Sequence, residues 1–143
     1  ARDQYAPTIE NVPILMGRFD NQISMLLTEG SAILAYRTML LDNMVHVARP
    51  ADIAGHRMLI SAAPYSLGST LGERLAQEID PATGQPYGVG AYYIDHNDNR
   101  QFGLRALGDN DIDVAAIAEG YGGGGHVKAS GFRVEHTHPL ARI

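Results

Sequence analysis

Residues 113–134 read DVAAIAEGYGGGGHVKASGFRV and place a helical run and a strand-like run on either side of a glycine stretch. In the helical run, Val114 and Ile117 have the spacing of core-facing positions. Four consecutive glycines, 122–125, follow it, and glycine loses more backbone entropy on ordering than any other residue. Because a backbone without Cβ can take positive φ and approach a ligand closely, the stretch predicts a phosphate-binding loop without regular structure.

Two polar residues directly after the glycines support that interpretation. His126 supplies a donor that titrates near neutrality, and Lys128 supplies a cation. A solvated glycine-rich linker is the alternative. The framing by a helix and by the strand-like run 131–134, with no serine among the glycines, favours an ordered site. For Lys128, a ligand contact and a solvated position both stay open.

The residues upstream of the helix indicate further elements. We predict a strand at 58–60, a helix at 67–79 capped by Ser66, a turn-rich connection at 81–88, and strands at 89–94 and 101–107 joined by a polar turn at 95–99. Asn110 or Asp111 is predicted to cap the helix before the glycines. The tail after His136 is predicted to be loose. This order predicts an α/β fold with a small mixed sheet and flanking helices.

The first 57 residues predict a helical connector instead of sheet. An amphipathic run covers 12–27, Glu29-Gly30 marks a break, and apolar positions recur at helical spacing over 30–47. Pro50 is expected to end the helical region. We therefore divide the chain into a connector, 1–57, and a domain, 58–143.

Composition bounds the class of protein. The chain has 143 residues, 45% apolar and 19% charged, which is typical of a folded protein with a real core. A net charge of −5 with only 11 Lys and Arg disfavours an extended duplex as partner. The absence of cysteine fits a reducing cytoplasm, and no run is long enough to predict a membrane span. Ala1 in place of methionine suggests a processed or trimmed product.

Three segments together carry a resemblance to a known family. DVAAIA at 113–118, GGGGH at 122–126 and ASGF at 129–132 resemble the C-terminal, DHH-associated domain of the DHH phosphoesterases. That superfamily includes RecJ-like exonucleases, nano-RNases, cyclic-dinucleotide phosphodiesterases and exopolyphosphatases. Gly103-Leu104-Arg105-Ala106 takes the place of the family's serine-leucine-arginine-serine sequence, without its flanking serines. The resemblance covers 58–136, and Ser130 replaces the usual second alanine.

The resemblance implies a substrate-binding domain for a short oligonucleotide or nucleotide phosphate. It implies backbone N–H donors from Gly123, Gly124 and Gly125, a phosphate contact from His126, a bidentate clamp from Arg105, and a nearby charge from Lys128. It implies no catalytic or metal-binding residue and no cofactor in this chain. The manganese or magnesium site would belong to an N-terminal, aspartate-rich catalytic domain that this sequence does not include. Asp95-His96-Asn97, a partial copy of the Asp-His-His motif, is interpreted as a hairpin turn.

Two other functions stay open on the sequence. One is a standalone nucleic-acid-binding module like the related domain of alanyl-tRNA synthetases, which would need a broader basic surface. The other is an oligomerisation domain, and hence a homodimer, with the helix over 30–47 as interface. His136 and His138 alternate as two metal ligands on a strand would, but the sequence positions no third ligand with them.

Overall fold

The computed structural model describes residues 8–143, except for the side chains of residues 18–21. The chain divides into two units, Ala1–Leu40 and Leu41–Ile143. No helix within 8–143 is long and apolar enough to cross a bilayer.

One long helix occupies most of the first unit. Helix α1, Val12–His46, has non-helical backbone angles at Gln22 (φ −144°, ψ 38°). The predicted break at Gly30 was wrong, because a helix interior tolerates a single glycine at a cost of about 1 kcal/mol. Many of the large apolar side chains of this unit are exposed, and Leu34 is 62% exposed.

The second unit is built on a six-stranded sheet. Its strands are β1 Arg49–Ile53, β2 His56–Ala62, β5 Val89–His96, β6 Asn99–Ala106, β7 Gly124–His126 and β8 Ala129–Glu135. They lie in the order β1-β2-β5-β6-β8-β7, and only β2 and β5 are parallel. The predicted mixed sheet is confirmed. A small ribbon, β3 Ile79–Asp80 with β4 Gln85–Pro86, forms within the connection that was predicted to be turns.

Strand β1 was missed because its sequence was assigned to the helical connector. Pro50 lies inside β1, which is an edge strand, the position where a sheet tolerates a residue without N–H. Residues 49–53 thus form a strand that was not predicted, whereas the expected end of the helical region at Pro50 is confirmed, because α1 ends at His46. Ala51 and Ile53 alternate with exposed residues and belong to the core.

Two helices pack on opposite faces of this sheet. Helix α3, Val114–Glu119, lies on the face that contains the main core, where Phe102 and Phe132 stack with ring centroids 4.9 Å apart. Helix α2, Gly68–Gln77, packs against β5, β6 and β2 on the other face. Close approach there needs glycine, since a Cβ at Gly90 would lie 2.0 Å from the carbonyl oxygen of Gly72.

Two local predictions at helix ends were wrong. Asp113 caps α3, its Oδ1 accepting from the N–H groups of Ala115 and Ala116 at 2.9 and 3.1 Å. Asn110 Oδ1 instead accepts from the N–H of Ile112 in the preceding loop. Helix α2 has no side-chain cap, so Ser66 does not cap it.

The C-terminal tail is ordered, contrary to the prediction. Pro139–Arg142 form a 3₁₀ helix, and His138 Nδ1 accepts from the N–H of Leu140 at its start. Leu140, Ala141 and Ile143 pack against the core. The apolar contacts of these residues offset the entropy cost of fixing the tail.

Candidate functional site

The first part of the glycine stretch ends helix α3. Gly122 has φ +75° and donates its N–H to the carbonyl of Glu119 at 2.9 Å. Gly123 donates its N–H to the carbonyl of Ala118, also at 2.9 Å. Such bonds satisfy the free carbonyls at a helix C-terminus. The N–H of Gly123, expected to donate to a phosphate, is thus engaged within the protein.

The second part of the stretch forms a strand, so the prediction of a loop without regular structure was wrong. Strand β7 pairs antiparallel with β8 in the register Gly124↔Gly131, Gly125↔Ser130 and His126↔Ala129. Strand pairing and its hydrogen bonds offset the entropy that the glycines lose. Because β7 is the last strand of the sheet, it leaves backbone groups open along its outer edge.

The consecutive glycines differ in whether the fold needs them. A Cβ on Gly123 would lie 2.2 Å from the carbonyl oxygen of Gly131, and one on Gly125 would lie 2.6 Å from Cα of Ser130. Gly125 also has φ +147°. Gly124 differs from both, because its φ is not positive and a Cβ there would meet nothing within 4 Å. The fold therefore has no need of glycine at 124.

Three glycines from neighbouring strands form a row on the face of the sheet where α2 packs; Gly103 is buried under the ring of Tyr92, whereas Gly131 and Gly124 line a groove. Gly103 on β6 pairs with Gly131 on β8, which pairs with Gly124 on β7. We call these three residues the glycine floor. Tyr92 on β5 pairs with Gly103, and its ring lies where a Cβ of Gly103 would be. A groove of about 400 Å³ lies over Gly131 and Gly124, lined also by Gln101, Gly122, Gly123, Phe132 and Arg133.

The structure brings Arg105 and His126 to one side of this floor. Arg105 pairs with Ala129, and Ala129 pairs with His126, so the three residues form a cross-strand row next to the glycine floor. Residues directly opposite each other point to the same face, and two strand spacings separate Arg105 from His126 by about 10 Å. Ala129 adds only a methyl group between them.

Arg105 is held in place by neighbours on α2 and β5. Its Nη2 donates to Ser69 Oγ at 2.7 Å, and its Nη1 donates to the Leu104 carbonyl at 2.8 Å. The guanidinium carbon lies 5.7 Å from the ring centre of Tyr92, within cation–π range. These contacts fix the side chain before any ligand binds and leave other N–H donors of the guanidinium, which has five.

His126 and Lys128 have different surroundings. His126 is exposed, and its Nδ1 accepts from the N–H of Lys128 at 3.4 Å, which leaves Nε2 as the donor of the neutral ring. Lys128 Nζ donates to both oxygens of Asn110 and to the Ile112 carbonyl. All three ammonium donors are thus engaged in tying the hairpin to the loop before α3. A ligand contact by Lys128 stays a prediction that requires these bonds to open.

Several residues near the floor were missed from the sequence. Ser69, Tyr92 and Gln101 carry no motif. The strand register places Tyr92 and Gln101 there, and the packing of α2 on the sheet brings Ser69 to Arg105. Arg133 could have been found, because it lies two residues after Gly131 on a strand and must share its face.

The described residues offer no metal site. Within 8–143, no three His, Asp or Glu side chains lie close enough to hold a metal ion. Asp95, His96 and Asn97 lie at the β5–β6 hairpin, as interpreted from the sequence, and Asn97 has φ +49°. Asp95 is paired with Arg100 at 2.7 and 2.9 Å, and this hydrogen bonding lowers the pKa of its carboxyl group.

The second unit has a mixed α/β fold in which a six-stranded sheet carries one helix on each face. The fold is similar to part of the pGpG-specific phosphodiesterase PggH from Vibrio cholerae, with a TM-score of 0.54 and 12% identity. The match covers 92% of this chain and 48% of that one, so the chain spans about half the length of the phosphodiesterase.

An exopolyphosphatase-related protein from Bacteroides fragilis is a weaker match, with a TM-score of 0.39, 17% identity, and coverage of 67% of this chain and 28% of that one. No protein-family profile and no curated sequence matches the chain. At these identities, the likeness to PggH shows the fold alone.

Proposed function

We propose that this chain is the substrate-binding part of a DHH-type phosphoesterase and holds the phosphate and terminal nucleotide of a short oligonucleotide or phosphorylated nucleotide. The observation that carries the proposal is the glycine floor with Arg105 and His126 along one side. A phosphate in the row of Arg105 and His126 can accept from the guanidinium and an imidazole N–H, while the rest of the ligand approaches the glycine backbone of the floor closely.

The charge distribution supports a short ligand. The chain carries a net charge of −5, yet Arg133 lines a groove of about 400 Å³, and Arg105 and Lys128 line a cavity of about 380 Å³ together with Glu73. His126 lies in the same cross-strand row as Arg105. A local cluster of donors suits one or two phosphates. A nucleic-acid-binding module would neutralise many phosphates over a larger basic surface.

The role that we propose for this chain is binding, and hydrolysis would depend on a separate catalytic domain. The resemblance implies a two-metal reaction with manganese or magnesium, which would supply a metal-activated water and neutralise developing charge. The described residues do not fit such a metal group. What this chain contributes is the orientation of the phosphate by Arg105 and His126.

A titration of the purified chain tests the proposal. Because the name of PggH gives pGpG as its substrate, labelled pGpG is the first ligand to try, beside a 20-nucleotide single-stranded RNA. We expect pGpG binding with a shallow salt dependence, a log–log slope of about −1 to −2, as for one or two phosphate contacts. We expect His126→Ala to weaken binding about tenfold, the effect of one hydrogen bond to a charged group.

Arg49→Gln is the matched control, because Arg49 is an exposed arginine on β1 at the opposite edge of the sheet. It should leave pGpG affinity unchanged. A steep salt slope with preferred binding of the long RNA would favour the nucleic-acid module instead. Hydrolysis of pGpG by the chain alone with manganese would contradict the assignment of a binding role without catalysis.

A further inference from the structure

Arg133 is an exposed cation that the proposed site does not yet use. It lies on β8, on the same face as Gly131 and Ala129, and its cross-strand neighbour is the uncharged Gln101. It lines the groove over the glycine floor and also a second cavity of about 360 Å³ beside Tyr121 and His138.

Two other arginines of the second unit are paired with carboxylates. Arg57 binds Asp80 and Arg100 binds Asp95 through their side chains. The side chain of Arg133 makes no hydrogen bond or ion pair with any residue in the described range 8–143, whereas its backbone pairs with Gln101 on β6. Glu135, two residues further along the strand, shares its face without pairing to it. The guanidinium of Arg133 is therefore available to an anion.

The distance between the two sides of the glycine floor limits which ligands can contact both sides at once. Arg105 lies four residues from Gln101 along β6, and Gln101 is opposite Arg133. Four residues of strand span about 13 Å, so the rows of Arg105 and Arg133 lie on opposite sides of the glycine floor. A single phosphate held between Arg105 and His126 is then too far away to contact Arg133 as well.

We propose that Arg133 binds a second phosphate group, so that the groove selects ligands with two phosphates over ligands with one. This inference rests on the proposed function, because it takes the first phosphate to lie at Arg105 and His126. A dinucleotide with a 5′ phosphate and a linear polyphosphate share this chemistry.

The test compares ligands that differ in their number of phosphates. Affinities of the full chain are measured by calorimetry for pGpG, GMP, tripolyphosphate and orthophosphate, with Arg133→Gln as the variant and Arg49→Gln as the charge-matched control. We expect Arg133→Gln to lower the affinity for pGpG about tenfold and to reduce the salt slope of pGpG binding by about 1. The affinity for GMP should not change. Arg49→Gln should change the affinity for neither ligand.

The outcomes separate this inference from the proposed function. Suppose that Arg133→Gln weakens the binding of GMP and pGpG equally, or of neither, while His126→Ala still weakens the binding of both. The contact of Arg133 with a second phosphate is then wrong, and the proposed site at Arg105 and His126 remains supported. If His126→Ala has no effect on any ligand, the proposed function fails and this inference fails with it. If Arg133→Gln weakens the binding of tripolyphosphate but not that of pGpG, the inference is wrong for dinucleotides. If it weakens both equally, the result supports a contact that recognises the second phosphate of either ligand.

Discussion

Replacing Gly124 by alanine separates the demands of the fold from those of a ligand. The neighbouring Gly123 and Gly125 cannot accept a side chain, because a Cβ on either would overlap atoms of β8. Gly124 has open space at its Cβ position and no positive φ. Its methyl group would instead project from the glycine floor into the space of the ligand, next to the row of Arg105 and His126 where we propose that the phosphate binds.

The structure gives the expected sizes of these effects. Gly124→Ala should stabilise the protein by about 0.5 kcal/mol, because alanine loses less entropy than glycine in a strand. That corresponds to a rise in Tm of about 1–3 °C for a chain of this size. Gly123→Ala should destabilise it by about 3 kcal/mol, since a contact of 2.2 Å with a carbonyl oxygen forces the backbone to move. Gly125→Ala adds strain at φ +147° of about 1–3 kcal/mol.

Thermal unfolding and pGpG titration of the same preparations measure both quantities. We expect Gly124→Ala to bind pGpG at least tenfold more weakly although it is slightly more stable, and Gly124→Val to bind it more weakly still. Gly30→Ala, with open space on helix α1, is the control that should gain stability without losing affinity. Full pGpG affinity in a folded Gly124→Val variant would refute the argument that a ligand approaches the sheet at this point.

Three further predictions concern other parts of the molecule. The side chain of Asp80 is 5% exposed, and its hydrogen bond from Arg57 lowers the pKa of its carboxyl group. The ionised carboxylate should therefore stabilise the fold above about pH 4, and this stabilisation should be lost as the pH falls further. Denaturant unfolding between pH 3 and 6 should show the loss, and Asp80→Asn should make the free energy of unfolding less dependent on pH. Arg105→Lys should keep the fold but weaken pGpG about tenfold, because a lysine cannot form the bidentate contact; unchanged affinity by calorimetry would argue against a clamp. The exposed apolar side chains of α1 lead us to expect that the chain forms a homodimer. Light scattering should give a mass near twice 15.4 kDa, and the double substitution Ile33→Lys and Leu34→Lys should lower it toward that of the monomer. A monomeric mass for the unsubstituted chain would exclude the homodimer.

The sequence predicted those elements whose periodicity and turn residues agree. Strands β5 and β6 alternate around a polar turn, and both helices of the second unit have apolar positions at helical spacing, so these elements were placed within a few residues. The glycine stretch was assigned wrongly because propensity argues against a strand of glycines. Pairing with β8 decides the matter, and that partner is set by tertiary structure.

The site was predicted in part for the same reason. Arg105 and His126 could be named from the resemblance, but their common row depends on the register between β6, β8 and β7. That register is fixed by core residues such as Phe102 and Phe132, since a slip by one residue would turn them to solvent. The engagement of Lys128 by Asn110 depends on a loop conformation that no sequence pattern signals.

The position of Tyr92 gives the glycine floor two unlike ends. Its ring lies between the sheet and α2, where a Cβ of Gly103 or of Gly68 would overlap it, and so it forms a wall at one end of the floor. At the other end, β7 is the last strand and nothing in the second unit follows it. On the proposed course of the ligand along the strands, from the row of Arg105 to the row of Arg133, Tyr92 would bound one flank of the ligand. The flank at β7 would stay open, so a bulky group could be accommodated on that side alone.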